Sequence, residues 1–385
     1  MNKLIRFAHD CHTKAVTLLE CHLHRVSNEQ LVTAANRSWR FQTAGSRRLE
    51  NQLEHTLTPS CPAVHEMNWR DVFCFQLDSV CLTGDDALVF IPSGEVVMDC
   101  PSLQRHPERK IRRPLRLGSR HITESCVYLA GRNYENHGHF LLHHLPRLFA
   151  AQSHFEALGH PRILLGNREK QWQLRYLSAV GVAPEQVRRA GPCTTRVNRL
   201  FYAPQLWSDS ALASPEILLR MRAAFLAHSL QSTGMQTAQP PILISRCDAP
   251  DRKLLNEHEI AAEVERQWGA CEVLQLSKLD FATQLRKFAT APLIIGALGQ
   301  GFANLLVASG ALCLILDTEE QWSESYFSRT FRDLALLHGN MAARLFAGRS
   351  IQKREHWSYP LPKFKQELST ATALWKQHLS LAPPP

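Results

Sequence analysis

The sequence predicts an α/β protein made of two doubly wound domains facing each other, preceded by a helical extension and a small β-rich unit. Three observations carry this. Short apolar strand-like runs alternate with amphipathic helical stretches. The alternation stops at a polar, Pro-terminated segment (232–241) and then restarts. Two successive β–α–β–α blocks read as two parallel-sheet domains.

Residues 1–60 read as polar and helical, an extension with little core. Residues 61–120 change character. VFCFQLDSVCLTG, DALVFIP and EVVMDC are short apolar runs separated by GDD and PSG turn signals, a small β-rich unit. Residues 121–235 form the first block. SCVYLAG is a strand, 139–158 a helix with Pro146 in its first turns, PRILLGN a strand, 169–181 a helix ended by Gly, RLFYAP a strand, and 214–230 a helix opened by Ser-Pro. Residues 236–345 form the second. PILISR, CEVLQL, PLIIGAL and ALCLILD are strands, alternating with helices over 256–267, DFATQLRKFATA and FANLLVASG. The tail 346–385, with Trp357 and Trp375, is expected to pack back across the domains.

Composition excludes several classes. In 385 residues, 44% are hydrophobic and 21% charged, which excludes a disordered or fibrous chain. The net charge of +9 is concentrated. Residues 105–120 hold seven basic residues and one acidic, a net +6, and the remainder is close to balanced, against a whole-domain nucleic-acid binder. Eleven cysteines without any CxxC fit neither a disulfide scaffold nor a zinc ribbon, and read as a reducing compartment. The N-terminus carries charges throughout and is not expected to be a signal peptide. Residues 291–316 contain no charge, but four glycines interrupt the run. It reads as strand, glycine turn, buried helix and strand rather than a membrane span.

Three constellations bear chemistry. The first is Asn136-His137-Gly138-His139, followed by His143-His144-Leu145-Pro146-Arg147. His139 and His143 share a helix face at i, i+4. That spacing can chelate zinc, but HExxH is absent, and a histidine acting as base fits better because its pKa lies near neutrality. His144 cannot share that face and reads as structural. The second is Ser245-Arg246-Cys247-Asp248, Asp251-Arg252, then Asn256-Glu257, starting where a strand ends. Two arginines on such a loop can clamp a diphosphate, or simply pair with the acids nearby. The third is Gly296-Ala297-Leu298-Gly299-Gln300-Gly301, ending at Asn304. Its glycines let backbone N–H groups approach a phosphate, or serve packing alone. With Asp317 at the end of the next strand it also imitates a dinucleotide fingerprint, though the third glycine is missing and the turn comes late in its domain.

In this order, NYENHGHFLLHHLPRL, ISRCDAPDRKLLNEHE and PLIIGALGQGFANLL resemble glycosyltransferase family 61, over about residues 60–345. The family shows an N-Y-x-H-W-L-x-D-x-L-P-R-L-like motif, an R-x-D-x-x-x-R-x-x-x-N-E-like motif and a G-x-H-G-A-G-L-T-N-like turn. His139, Leu145, Pro146 and Arg147 match the first. Arg246, Asp248, Arg252, Asn256 and Glu257 match the second, and Gly296, Gly299, Gly301 and Asn304 the third. Three residues depart: His143 stands for Asp, Leu298 for His and Gln300 for Ala.

The resemblance implies a GT-B-like fold of two Rossmann-like domains and inverting transfer from a nucleotide sugar, with no cofactor and no obligatory metal. Residues 236–345 would hold the donor, with Arg246, Arg252 and the Gly299–Gly301 backbone on the diphosphate. Asn304 and Glu257 would hold nucleoside or sugar. Residues 121–235 would hold a polysaccharide or glycolipid acceptor, with Asn136 and Arg147 lining the cleft and His139 or His143 as base. The expected location is cytoplasmic, with 105–120 against an anionic membrane face. Two other readings stay open: a catalytically degenerate scaffold of glycan assembly, motivated by Leu298 and His143, and an NAD-type oxidoreductase using Gly299, Gly301 and Asp317.

Overall fold

The computed structural model describes residues 25–26, 35, 37–83, 88–93, 96–97, 120–131, 133–192, 194–206, 208–231, 239–318, 326–348 and 355–381. Residues 105–119 of the basic run, and most of 1–37, lie outside them. The chain forms two compact units, 1–44 with 70–206, and 45–69 with 207–385.

The strands of unit 1 form a single sheet. They are β1 (Arg25–Val26), β2 (Ser38–Gln42), β5 (Val72–Thr83), β6 (Leu88–Phe90), β7 (Val96–Val97), β8 (Arg120–Tyr128), β9 (Arg162–Leu165), β10 (Val187–Arg189) and β11 (Thr195–Tyr202). One half, in the order β11-β8-β9-β10, is parallel. The 12-residue β5 pairs antiparallel with β11. Phe75, Leu77, Val80 and Leu82 of β5 thereby share a core with Ile122, Cys126, Tyr128, Val197, Leu200 and Tyr202. The β-rich segment expected as a separate unit is therefore split. β5–β7 extend this sheet, because the apolar face of a three-strand ribbon needs a partner to be buried. A helix over 137–152 (α2) follows β8, and α3 (Gln171–Ala179) follows β9.

Unit 2 is a five-stranded parallel sheet in the order β13-β12-β14-β15-β16. The strands are β12 (Ile242–Ile244), β13 (Glu272–Leu274), β14 (Leu293–Ala297), β15 (Leu312–Asp317) and β16 (Met341–Phe346). They read as unbroken apolar runs because both faces are covered. The helices are α4 (Pro215–Gln231), α5 (Glu257–Trp268), α6 (Phe281–Thr290), a 3-10 helix (Gln300–Leu306), α7 (Tyr326–Leu337) and α8 (Leu361–Leu381). Gly269 closes α5 at φ +81, a left-handed cap that glycine takes without strain. The uncharged run 291–316 is strand, turn, short helix and strand, as the glycine spacing predicts. Among the described residues no helix is long and apolar enough to cross a membrane.

Residues 38–60 correct the expected helical extension. β2 joins unit 1, while β3 (Gly45–Glu50), α1 (Gln52–Leu57) and β4 (Val64–Trp69) belong to unit 2. Glu54 of α1 explains the attachment. It is fully buried, and accepts hydrogen bonds from the Arg344 backbone N–H and Nε and from Arg332 Nη1 at 2.7–3.0 Å. The tail also packs in unit 2. Trp357 and Phe364 enter its core, the Trp375 ring packs tilted against Trp268 with centroids 5.1 Å apart, and Trp375 Nε1 donates to Gly310 O.

Candidate functional site

The strand orders say where ligands belong. In unit 2, β12 leads to β13 on one side and β14 lies on the other, so the connections leave β12 and β14 in opposite directions. Open α/β sheets bind ligands at such a reversal, beyond the carboxyl ends of the strands. The loop after β12 carries Arg246, Asp248, Arg252 and Asn256, and the loop after β14 carries Gly299 and Gly301. Two motifs 50 residues apart in sequence thus meet at one point.

Their contact is tight. A Cβ built on Gly299 would lie 1.9 Å from Arg246 Nη1, so only glycine lets the guanidinium lie against this backbone. Its φ of −175° is ordinary extended backbone, and the requirement is space. Arg246 Nε and Nη2 donate to Arg252 O at 3.3 Å and Asp251 O at 3.0 Å. These are neutral acceptors, and Nη1 donates to no group among the described residues. Arg252 sits at φ +55, in the left-handed region that non-glycine residues seldom adopt. Its exposed side chain has no hydrogen-bond or ion-pair partner among the described residues. Burial, then the repulsion of Arg252, lowers the Arg246 pKa, against the pull of Asp248, Glu257 and Asp251. Arginine stays protonated regardless. The two guanidiniums repel each other and neither is ion-paired among the described residues, the electrostatics of an anion site.

The other predicted residues shape this loop. Glu257 begins α5 and accepts from Ser245 Oγ at 2.6 Å and the Arg246 N–H at 2.7 Å. Both its oxygens are engaged, and it holds the arginine's backbone. Asn256 is buried and exchanges hydrogen bonds with the Tyr359 backbone, Nδ2 to O at 2.9 Å and Tyr359 N–H to Oδ1 at 3.0 Å, which ties the tail to the loop. Asp248 has a lowered pKa, because Ser277 and then Gln275 hydrogen-bond its carboxylate. It fastens the loop after β12 to the one after β13.

Asn304 is buried beside this loop. It is 1% exposed and its Nδ2 donates to Gln284 Oε1 at 3.0 Å. Gln284 Nε2 in turn donates to Leu276 O and Leu279 O, so Asn304 fixes the 276–279 turn. Gly296 and Gly301 serve close packing. Cβ atoms there would fall 2.8 Å from Ile244 O and 2.7 Å from Leu276 Cδ1. Of the glycines, Gly299 is the one that faces the arginine. Ser277 and Gln284 were invisible in the sequence because they lie outside any motif.

In unit 1 the first motif follows β8, at the reversal between β8 and β11. Pro146 has no N–H and its ring crowds the carbonyl four residues back, and helix α2 answers with a π turn over Phe140–His144, closed by the Leu145 N–H on Phe140 O. His139 and His143 stand together there, Nδ1 to Nδ1 at 2.9 Å. One of these atoms donates and the other accepts, so one ring presents a lone pair at Nδ1. His137 hydrogen-bonds Tyr176 through Nε2. His144 is fully buried, as expected of a structural histidine, and its Nδ1 accepts from Arg147 Nη2 at 3.0 Å.

Arg147 is not a cleft residue. It is 0% exposed, its guanidinium lies 5.5 Å over the Tyr128 ring, and Nη1 reaches Tyr128 O at 3.4 Å. It braces the end of β8 from beneath. Asn136 is exposed just ahead of α2; its backbone N–H donates to Asn133 O and its carbonyl accepts from the Phe140 N–H. Among the described residues no group of three or more His, Cys, Asp or Glu could hold a metal ion.

Residues 137–315 match the family model described as Glycosyltransferase 61. The match covers 179 of the 385 residues, and over that stretch the chain is similar to that family. It runs from the first histidine of α2 into β15 and takes in both sites. The similarity is to a family of glycosyltransferases. No curated protein matches the chain.

Proposed function

We propose that this chain is an inverting glycosyltransferase of the family 61 type that moves a sugar from a nucleotide sugar to a polysaccharide or glycolipid acceptor. The observation that carries the reading is the pair of guanidiniums, Arg246 and Arg252, beside Gly299 at the strand-order reversal of unit 2. In such a transfer the acceptor oxygen attacks the anomeric carbon and the bond to the diphosphate breaks. The leaving diphosphate takes up the electron pair. Negative charge grows where two cations wait, and charge stabilisation of this kind is the largest single contribution in many enzymes. Two arginines can supply what a divalent cation supplies elsewhere, and the reading therefore has no metal and no further cofactor. The turn follows the third strand, in chain order, of its parallel sheet, whereas the dinucleotide fingerprint follows the first, which favours the sugar donor over the NAD reading.

The acceptor hydroxyl must lose a proton. His139 and His143 are the proposed bases, on the chemistry of the shared Nδ1 contact alone. His139→Ala or His143→Ala is expected to lower kcat roughly 10²–10⁴-fold in a transfer assay. Full turnover by both variants would put the base elsewhere. The class itself is tested by thermal shift and calorimetry against UDP-, GDP- and CMP-sugars and nicotinamide nucleotides. Binding of a nucleotide sugar with measurable transfer is the expected result. A folded protein that binds one without transfer or hydrolysis is the scaffold. The cytoplasmic location, read from cysteine usage, and the contact of 105–120 with an anionic membrane, read from charge, remain parts of the proposal.

A further inference from the structure

Asp317 ends β15, just beyond the residues matched by the family model. The Leu298 N–H donates to Leu316 O at 2.8 Å, so the glycine turn leaves the sheet beside it. The side chain is 7% exposed. Its Oδ1 accepts the Thr318 N–H at 2.8 Å, an ordinary use for an aspartate at a strand end. Its Oδ2 is buried and has no hydrogen-bond partner among the described residues. Arg252 and Arg344 both act on the carboxylate, but burial outweighs them and pushes its pKa up to about 6. Arg344 is committed to Glu54.

A buried carboxylate oxygen without a donor is costly, so one kept at a ligand site is suited to a donor that arrives with the ligand. The phosphates cannot be that donor, since they carry acceptors only and repel a carboxylate. Hydroxyl groups can. β12 and β15 are separated by β14, so their ends lie two strand spacings apart, roughly 10 Å. A nucleoside diphosphate spans that distance. An acid at a strand's carboxyl end holding a ribose hydroxyl is also how dinucleotide folds use the position.

We propose that Asp317 accepts a hydrogen bond from a ribose hydroxyl of the nucleotide donor, and so selects ribonucleotides. The proposal rests on the donor reading of Arg246 and Arg252. It is tested by calorimetry with UDP, GDP and CDP and with their 2′,3′-dideoxy counterparts. The unmodified protein is expected to bind its ribonucleotide about tenfold or more tightly than the dideoxy form. In Asp317→Ala the preference should shrink to about twofold or less, with dideoxy binding retained. Should that variant not fold, Asp317→Asn, which keeps one neutral acceptor, should lose at least about threefold of the preference.

Equal binding of ribo and dideoxy forms by the unmodified protein overturns the proposal without any variant. So does a preference that survives both substitutions, and in either case the donor reading stands. Failure of all three diphosphates to bind overturns the proposal and the donor reading together.

Discussion

Gly299→Ala is expected to abolish donor binding as thoroughly as Arg246→Ala, although it removes no charge. The new methyl would sit 1.9 Å from Arg246 Nη1, and the arginine must move. What it meets is the far end of a flexible side chain, so the fold survives. The losses are the hydrogen bonds to Asp251 O and Arg252 O, about 1 kcal/mol each. The functional loss is larger. A guanidinium bonding a phosphate through charge-assisted hydrogen bonds contributes about 1.5–3 kcal/mol per bond, and two such bonds correspond to roughly 100-fold in affinity or more. Calorimetry with the nucleotide that binds the unmodified protein measures it. Because the two changes act on one group, Gly299→Ala in an Arg246→Ala background should add little. Unchanged affinity in either single variant would show that the diphosphate lies elsewhere.

The second large effect concerns stability. Glu54→Gln is expected to destabilise unit 2 by roughly 3–5 kcal/mol, because it leaves two buried guanidiniums with one carboxylate, Asp333, between them. The network is dense. Arg332 bonds both Glu54 and Asp333, and Asp333 also accepts from His65 and Ser210. Burial alone would raise the Glu54 pKa, but Arg332 and Arg344 outweigh it and the net shift is downward. Asp333 behaves likewise, with burial opposed by His65 and Arg332. A depressed carboxylate pKa contributes stability that is present above the unfolded values, about 4.3 for Glu and 3.9 for Asp, and is lost as pH falls through the folded values. The unmodified protein should lose stability steeply below about pH 4, and Glu54→Gln should flatten that acid limb. Urea denaturation at several pH values reads both. A midpoint unmoved by the substitution would mean that the segment 45–69 is held by packing alone.

Most of the alternation was legible. Unbroken apolar runs such as PLIIGAL and ALCLILD state their own burial, and the Ser-Pro and Gly punctuation marks the helices. Local rules read these features because the cause is local: a strand covered on both faces needs apolar side chains at every position. The site was half legible. The loop arginines and the glycine turn stand out by residue type, but Asn304, Asn256 and Arg147 looked like ligands and are buried braces. A polar residue in a motif announces that it makes hydrogen bonds, and not whether its partner is a substrate or the backbone of Tyr359.

The sequence by itself determined the fold class, the strand-and-helix order over most of 121–345, and the residue types that mark family 61. Only the tertiary structure decided which of them meet. Arg246 touches Gly299 because β12 and β14 are neighbours with their connections reversed, a property of strand order that no local pattern encodes. Glu54 draws residues 45–69 into unit 2 through partners 278 and 290 residues away. The short polar stretch read as helix gained its strands from those long-range contacts, since at such separation tertiary pairing outweighs local propensity.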